Sequence, residues 1–174
     1  MVFCTAMIYN TTINKKTNSV FPMPKRSKED TLVTINLILD TVTKQLLENG
    51  YDSMSYTTLS RETGVSRTGI SHHFPKKTDF LEALQGRLLK LFADHIEFKK
   101  DLSAFEQSWV SALDKRNFRA LICLILSQIG KDDRQQLFAR TFILHINQTA
   151  SSIFGEQSDE TVNRLIGLSF TKLI

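Results

Sequence analysis

The sequence predicts an all-α protein, a three-helix N-terminal unit followed by a helical bundle. Three observations carry this reading. From Ser27 onward, apolar residues recur at alternating steps of three and four, which gathers them on one helix face. Ser, Thr, Asn or Asp stands before most of these runs and glycine after several of them, where helices start and stop. No segment alternates apolar and polar residues with the branched side chains of a strand.

Residues 1–26 lie outside this pattern. They are polar, rich in Thr and Asn, and close on "FPMPKRSK", in which two prolines forbid a helix. A flexible arm is expected there, with Met23 as an alternative start. The first helix is expected from Ser27 to about Asn49, with Leu32, Ile35, Leu39, Val42 and Leu46 inward. Ser27 would cap it, Glu29 and Asp30 would favour its dipole, and Gly50 would stop it.

Two short helices come next. Ser55 can cap "YTTLSRET", Gly64 makes a turn, and Ser66 can cap "RTGISHHF". This is the layout of a helix-turn-helix, with Leu59, Val65, Ile70 and Phe74 inward against the first helix. Pro75 ends the second piece. Thr78 is then expected to cap a long helix with Leu81, Leu84, Leu88, Leu91 and His95 on one face, widened by Phe92 and Ile96. Further helices are expected over 102–113, 117–129, 132–154 and 158–174. The stretch 117–129 is apolar almost all round and so should be central, with Cys123 as a small buried hydrophobe.

Composition narrows the function classes. At 174 residues and 41% hydrophobic content, the chain has the make-up of a globular domain. Two cysteines give no disulfide framework and no zinc-ligand spacing, in keeping with a reducing cytoplasm. No apolar run is long enough to span a bilayer, so neither export nor a membrane partner is expected. The net charge of +4 is weak evidence by itself, because residues 25–80 carry 8 basic and 7 acidic side chains. Between Arg61 and Lys77, however, Arg61, Arg67, Lys76 and Lys77 face only Glu62. A solvated charged face is the bland explanation; a polyanion footprint is the sharper one.

The stretch "GVSRTGISHHFPKKTDF" decides between them. His72 and His73 are neighbours, so on a helix they diverge by about 100° and cannot share a metal ion. No nucleophile or carboxylate stands where a histidine would activate it, and no glycine loop cradles a phosphate. No catalytic residue, metal or cofactor is therefore expected. A short helix opening with Arg67, Thr68 and Gly69 can instead enter a major groove, with Arg67 on guanine edges and Thr68 on bases or a thymine methyl. Ser66, His72, His73, Lys76 and Lys77 would bracket it with donors to phosphate oxygens. Ser55, Thr57 and Ser71 complete the expected DNA-facing set.

The segment "GYDSMSYTTLSRETGVSRTGISHHFPKKTDF" resembles the N-terminal DNA-binding domain of the TetR family of bacterial transcriptional regulators, over about Ser27 to Leu84. Gly50 and Tyr51 match the family's turn after its first helix. Leu59 and Ser60 stand at its usual Ile-Ala pair, and Gly64, Val65 and Ser66 match its Gly-Val-Ser turn. His73, Phe74 and Lys77 fall on its His-Phe-x-x-Lys signature. "MPKRSKEDT" from Met23 and the short C-terminal part resemble the LuxT-type regulators. Ser71 departs from the family's tyrosine, and Thr63 from its alanine.

The resemblance implies a homodimeric DNA binder, often responsive to a small-molecule effector, with the last helices pairing two subunits. The expected division is 27–77 for the helix-turn-helix domain and 78–174 for the regulatory and dimerisation bundle. Phe92, His95, Trp109, Phe138 and Phe142 are the candidates for an effector pocket, although aromatics at helical spacing are also ordinary core. Ile143, Ile146, Ile153, Leu165 and Leu168 are the candidates for the dimer seam, joined by Phe170. The function expected is that of a cytoplasmic, non-enzymatic regulator, a repressor acting at a double-stranded operator. The alternative is a DNA-bound adaptor whose bundle docks another protein.

Overall fold

A computed structural model describes residues 28–173. Among them the secondary structure is entirely helical: α1 Lys28–Ser53, α2 Tyr56–Thr63, α3 Arg67–His73, α4 Lys77–Ala93, α5 Leu102–Ala112, α6 Arg116–Ser127, α7 Asp133–Phe154 and α8 Ser158–Leu173. The expected arm, the cap at Ser27 and the alternative start lie outside the described residues.

α1 is interrupted at Gly50, whose φ of 78° suits a residue without a Cβ. Ile38, Leu39, Val42 and Leu46 are buried, with Ile35 packed at the edge of the core. Leu32, expected inward, is instead 60% exposed beside exposed Val33. The periodicity continues through the first turns of the helix, but the core begins only at Ile35. Buried Gln45 joins α1 to α2: its Nε2 donates to Glu62 Oε1 (2.8 Å), and its Oε1 lies 2.8 Å from the Thr58 hydroxyl. Both ends of that amide are therefore satisfied.

Local signals set the next two helices. Ser55 Oγ accepts from Thr58 N (3.2 Å), and Thr58 Oγ1 returns the contact by accepting from Ser55 N (3.1 Å), a reciprocal cap. Gly64 ends α2 at φ 72°, and Ser66 Oγ caps α3 by accepting from Gly69 N (3.1 Å). Leu59, Ile70 and Phe74 are buried as the pattern predicts, and Val65 packs on the same core. Phe74 and Phe80 then stack obliquely, ring centroids 4.7 Å apart, fixing the corner between α3 and α4.

α4 begins two residues earlier than expected. Lys76, not Thr78, precedes the first helical residue, and Asp79 Oδ2 accepts from Lys76 N (2.8 Å). The cap thus comes from a carboxylate three residues inside the helix, which also suits its positive end. Leu81, Leu84, Leu88 and Phe92 form the buried face of α4. α6 packs against α1, α4, α7 and α8, the central position its composition predicts. Its apolar surface is nonetheless not buried all round: Cys123 and Ile129 are exposed. Cys123 lies on the part of α6 that these neighbours leave open, and Ile129 lies past the helix's last residue, Ser127.

α7 and α8 pack together and are joined through Gly155 (φ 84°). α5 rests on α8, where Trp109 Nε1 donates to buried Ser169 Oγ (2.9 Å). Trp109 is nearly perpendicular to Phe92 (5.0 Å), Phe105 (5.9 Å) and Phe118 (6.1 Å), the aromatic centre of the bundle.

Candidate nucleic-acid interface

α3 presents its N-terminal turn to solvent. Ser66, Arg67, Thr68, Ser71 and His72 are exposed, as is Thr57 on α2, while Ile70 points into the core. None of the ion pairs among the described residues involves Arg67 or Lys76. Glu62, the one acid of this stretch, is occupied by Gln45 and by Lys44 at 3.9 Å. A net positive, exposed surface results, centred on a short helix that α2 holds from behind.

The other expected contact residues divide by what already holds them. Ser55 is half-buried and engaged in its cap, and Ser71 Oγ donates to Thr68 O (3.2 Å). His73 is half-buried with its ring edge-on to His72 (5.4 Å). Gly69 serves the turn itself: a Cβ there would lie 3.1 Å from Val65 Cγ1 and 3.2 Å from Ser66 Oγ. Lys77 is tied back to the α1–α2 connection. Its ammonium donates to Asp52 O (3.3 Å) and sits 4.3 Å over the Tyr51 ring, a cation–π contact. Burial holds its pKa below the usual lysine value, with the Asp52 charge acting the other way. The Tyr51 hydroxyl is pushed up to about 12, first by burial and then by the negative charges of Asp132 and Asp52.

Several positioning residues escape sequence reasoning. The Tyr56 hydroxyl donates to Phe74 O (2.6 Å), stitching α2 to the end of α3. Arg134 of α7 lies 3.0 Å from Asp79 and 3.9 Å from Glu82, and Lys131 lies 3.8 Å from Asp52. Arg87 of α4 reaches Asp40 and Asn36 of α1. The bundle therefore holds the helix-turn-helix at both the α1–α2 connection and the start of α4. These pairs are 47 to 79 residues apart in the chain, and no local signal announces them.

The expected effector residues are mostly core. Phe92, Trp109, Phe138 and Phe142 are buried and packed on one another, and His95 Nδ1 lies 2.8 Å from Leu91 O. The cavity beside Trp109 and Phe142 is about 20 Å3, room for about one water. A larger groove of about 410 Å3 opens at the surface between α4 and α7, and of the five candidates only Phe92 lines it. Among the expected seam residues, Ile146 and Leu165 are buried within the chain's own core and so are unavailable to a partner. Ile143 and Leu168 are half-buried and Ile153 is exposed. Phe170, also expected in the seam, is exposed on α8, and Leu137 and Leu144, not among the expected residues, are exposed on α7.

Residues 38–84 match the family model described as bacterial regulatory proteins, tetR family, and residues 85–173 match that of the tetracycline repressor LuxT C-terminal domain. The chain is similar in fold to AibR, solved in complex with isovaleryl coenzyme A and operator DNA. The TM-score is 0.54 at 15% identity, over 80% of this chain and 82% of that one. None of the curated proteins matches the sequence significantly.

Proposed function

We propose that this chain, which belongs to the tetR family of bacterial regulatory proteins and carries the LuxT-type C-terminal domain, represses transcription as a homodimer on a pseudo-palindromic operator. The single observation that carries the reading is the exposed, unpaired N-terminal turn of α3, with Arg67 and Thr68 outermost on a positive surface. A helix so placed enters a major groove, Arg67 reading guanine and Thr68 a neighbouring base, while Ser66, His72 and Lys76 grip phosphates. Two heads about 34 Å apart require a two-fold pair. Exposed Leu137, Leu144 and Phe170 on α7 and α8 are the surfaces that pairing would cover.

In this reading residues 27–77 are the DNA-binding domain and 78–174 the regulatory and dimerisation domain. α4 belongs to both, since its start adjoins α3 and its later turns line the bundle. An effector that moves α4 against α7 changes the spacing of the two heads and so the operator affinity. The neighbouring AibR structure, with both an acyl thioester and DNA bound, supports such a linkage by analogy of fold.

A second reading, a DNA-bound adaptor whose bundle docks another protein, draws on the tight interior around Trp109 and on exposed Ile129. Selection of bound sequences from a random DNA pool tests the shared part. Enrichment of a palindrome with two half-sites one turn apart is expected, and an unstructured pool would refute the reading.

A further inference from the structure

We infer that the groove between α4 and α7 is a binding site for an apolar chain that ends in a carboxylate, a free fatty acid of medium length. The inference rests on the reading of residues 78–174 as the sensing half of a regulator, and it names what is sensed.

The groove measures about 410 Å3, within the range of roughly 300–1,000 Å3 for small-molecule sites. Leu89, Phe92, Phe98 and Ile146 give it apolar walls, with exposed Ile153 on its lining, and its charged or ionisable side chains are Lys90 and His145. No acidic residue lines it. An anion is the complementary head group, and the Phe92 side is where an alkyl tail loses contact with water.

Two neighbours compete for those polar groups. Lys90 is held by Asp94 at 2.7 Å, an exposed pair one helical turn apart. Such pairs contribute little, so a bound carboxylate can displace Asp94 from the ammonium. Thr149 donates its hydroxyl to His145 O (2.8 Å) and offers an anion no free proton. Lys90 and the His145 ring are thus the donors. Phe92 lies on the helix whose first turn carries Lys77 and Asp79, so a tail wedged between α4 and α7 acts on the element that leads to α3.

The single tryptophan supplies the readout, because Trp109 meets Phe92 edge-on at 5.0 Å. Titration of the full chain with decanoate should change Trp109 fluorescence saturably, with decylamine at least ten-fold weaker. Lys90→Gln should weaken decanoate several-fold, and Ile153→Glu, at an exposed position, should abolish the response while thermal melting stays unchanged. Absence of a saturable change, an equal response to decylamine, or full binding by Ile153→Glu would each overturn the site. Operator binding by the same preparations separates the two readings. Protein that binds DNA but not decanoate defeats only the ligand site; protein that binds decanoate but no DNA defeats only the regulator.

Discussion

Arg134, in the first turn of α7, holds Asp79 at 3.0 Å, and the same carboxylate caps α4 by accepting from Lys76 N. One side chain of the bundle thus steadies the residue that starts the helix behind α3. Arg134→Ala should lower stability by only about 0–1 kcal/mol, because the guanidinium is about half exposed to screening water. Amide exchange at 76–80 should nevertheless quicken, since Asp79 loses its anchor. Unchanged exchange there would show that Asp79 caps α4 unaided.

Arg67 and Lys76 should separate specificity from grip. Arg67→Ala is expected to cost about 1–3 kcal/mol on the selected operator and little on random DNA. Lys76→Ala should weaken all sequences alike and lower the salt slope by about 1. Lys77, tied to Asp52 O and the Tyr51 ring, should behave differently: Lys77→Ala should lower the melting temperature as well as DNA affinity. Filter binding at several salt concentrations distinguishes the three.

Tyr56→Phe removes the 2.6 Å bond to Phe74 O and leaves that carbonyl without its side-chain donor. A loss of about 1 kcal/mol in urea unfolding is expected, together with weaker operator binding, because the bond closes the corner behind α3. A variant as stable and as tight as the parent would remove Tyr56 from the positioning set.

Gly69→Ala sets two effects against each other. Helix propensity favours alanine by about 1 kcal/mol, yet its Cβ would stand 3.1 Å from Val65 Cγ1 and 3.2 Å from the Ser66 cap. Ser66 can turn away only by giving up its bond to Gly69 N. Urea unfolding should therefore show net destabilisation; a gain would mean the turn yields at no cost.

Tyr51 gives a pH signature. Burial pushes its hydroxyl up to about 12 from the ordinary tyrosine value of 10.0, so folding favours the protonated phenol. The associated stability is complete below pH 10 and is lost as pH rises through 12. Tyr51→Phe should flatten the decline of melting temperature that begins above pH 10, and phenolate absorbance should lose its latest-titrating tyrosine while Tyr56, whose hydroxyl burial also pushes up, remains.

What the sequence by itself determined is whatever one or two helical turns decide. Ser55, Gly64 and Ser66 cap and stop α2 and α3 through bonds to residues no more than four positions away. The exposed Arg67–Thr68 turn follows from Ile70 facing inward. Tertiary structure decided which apolar faces find a neighbour. Leu32 and Cys123 have the periodicity of core residues yet stay exposed, while Ile146 and Leu165 are consumed by the α7–α8 packing and leave the outer surface to Leu144 and Phe170. The anchoring of Lys77, the Tyr56 stitch and the Arg134–Asp79 pair likewise depend on where distant turns come to rest. A helix repeats its pattern without reference to its surroundings, whereas burial and ion pairing exist only once a second element stands within a few ångströms.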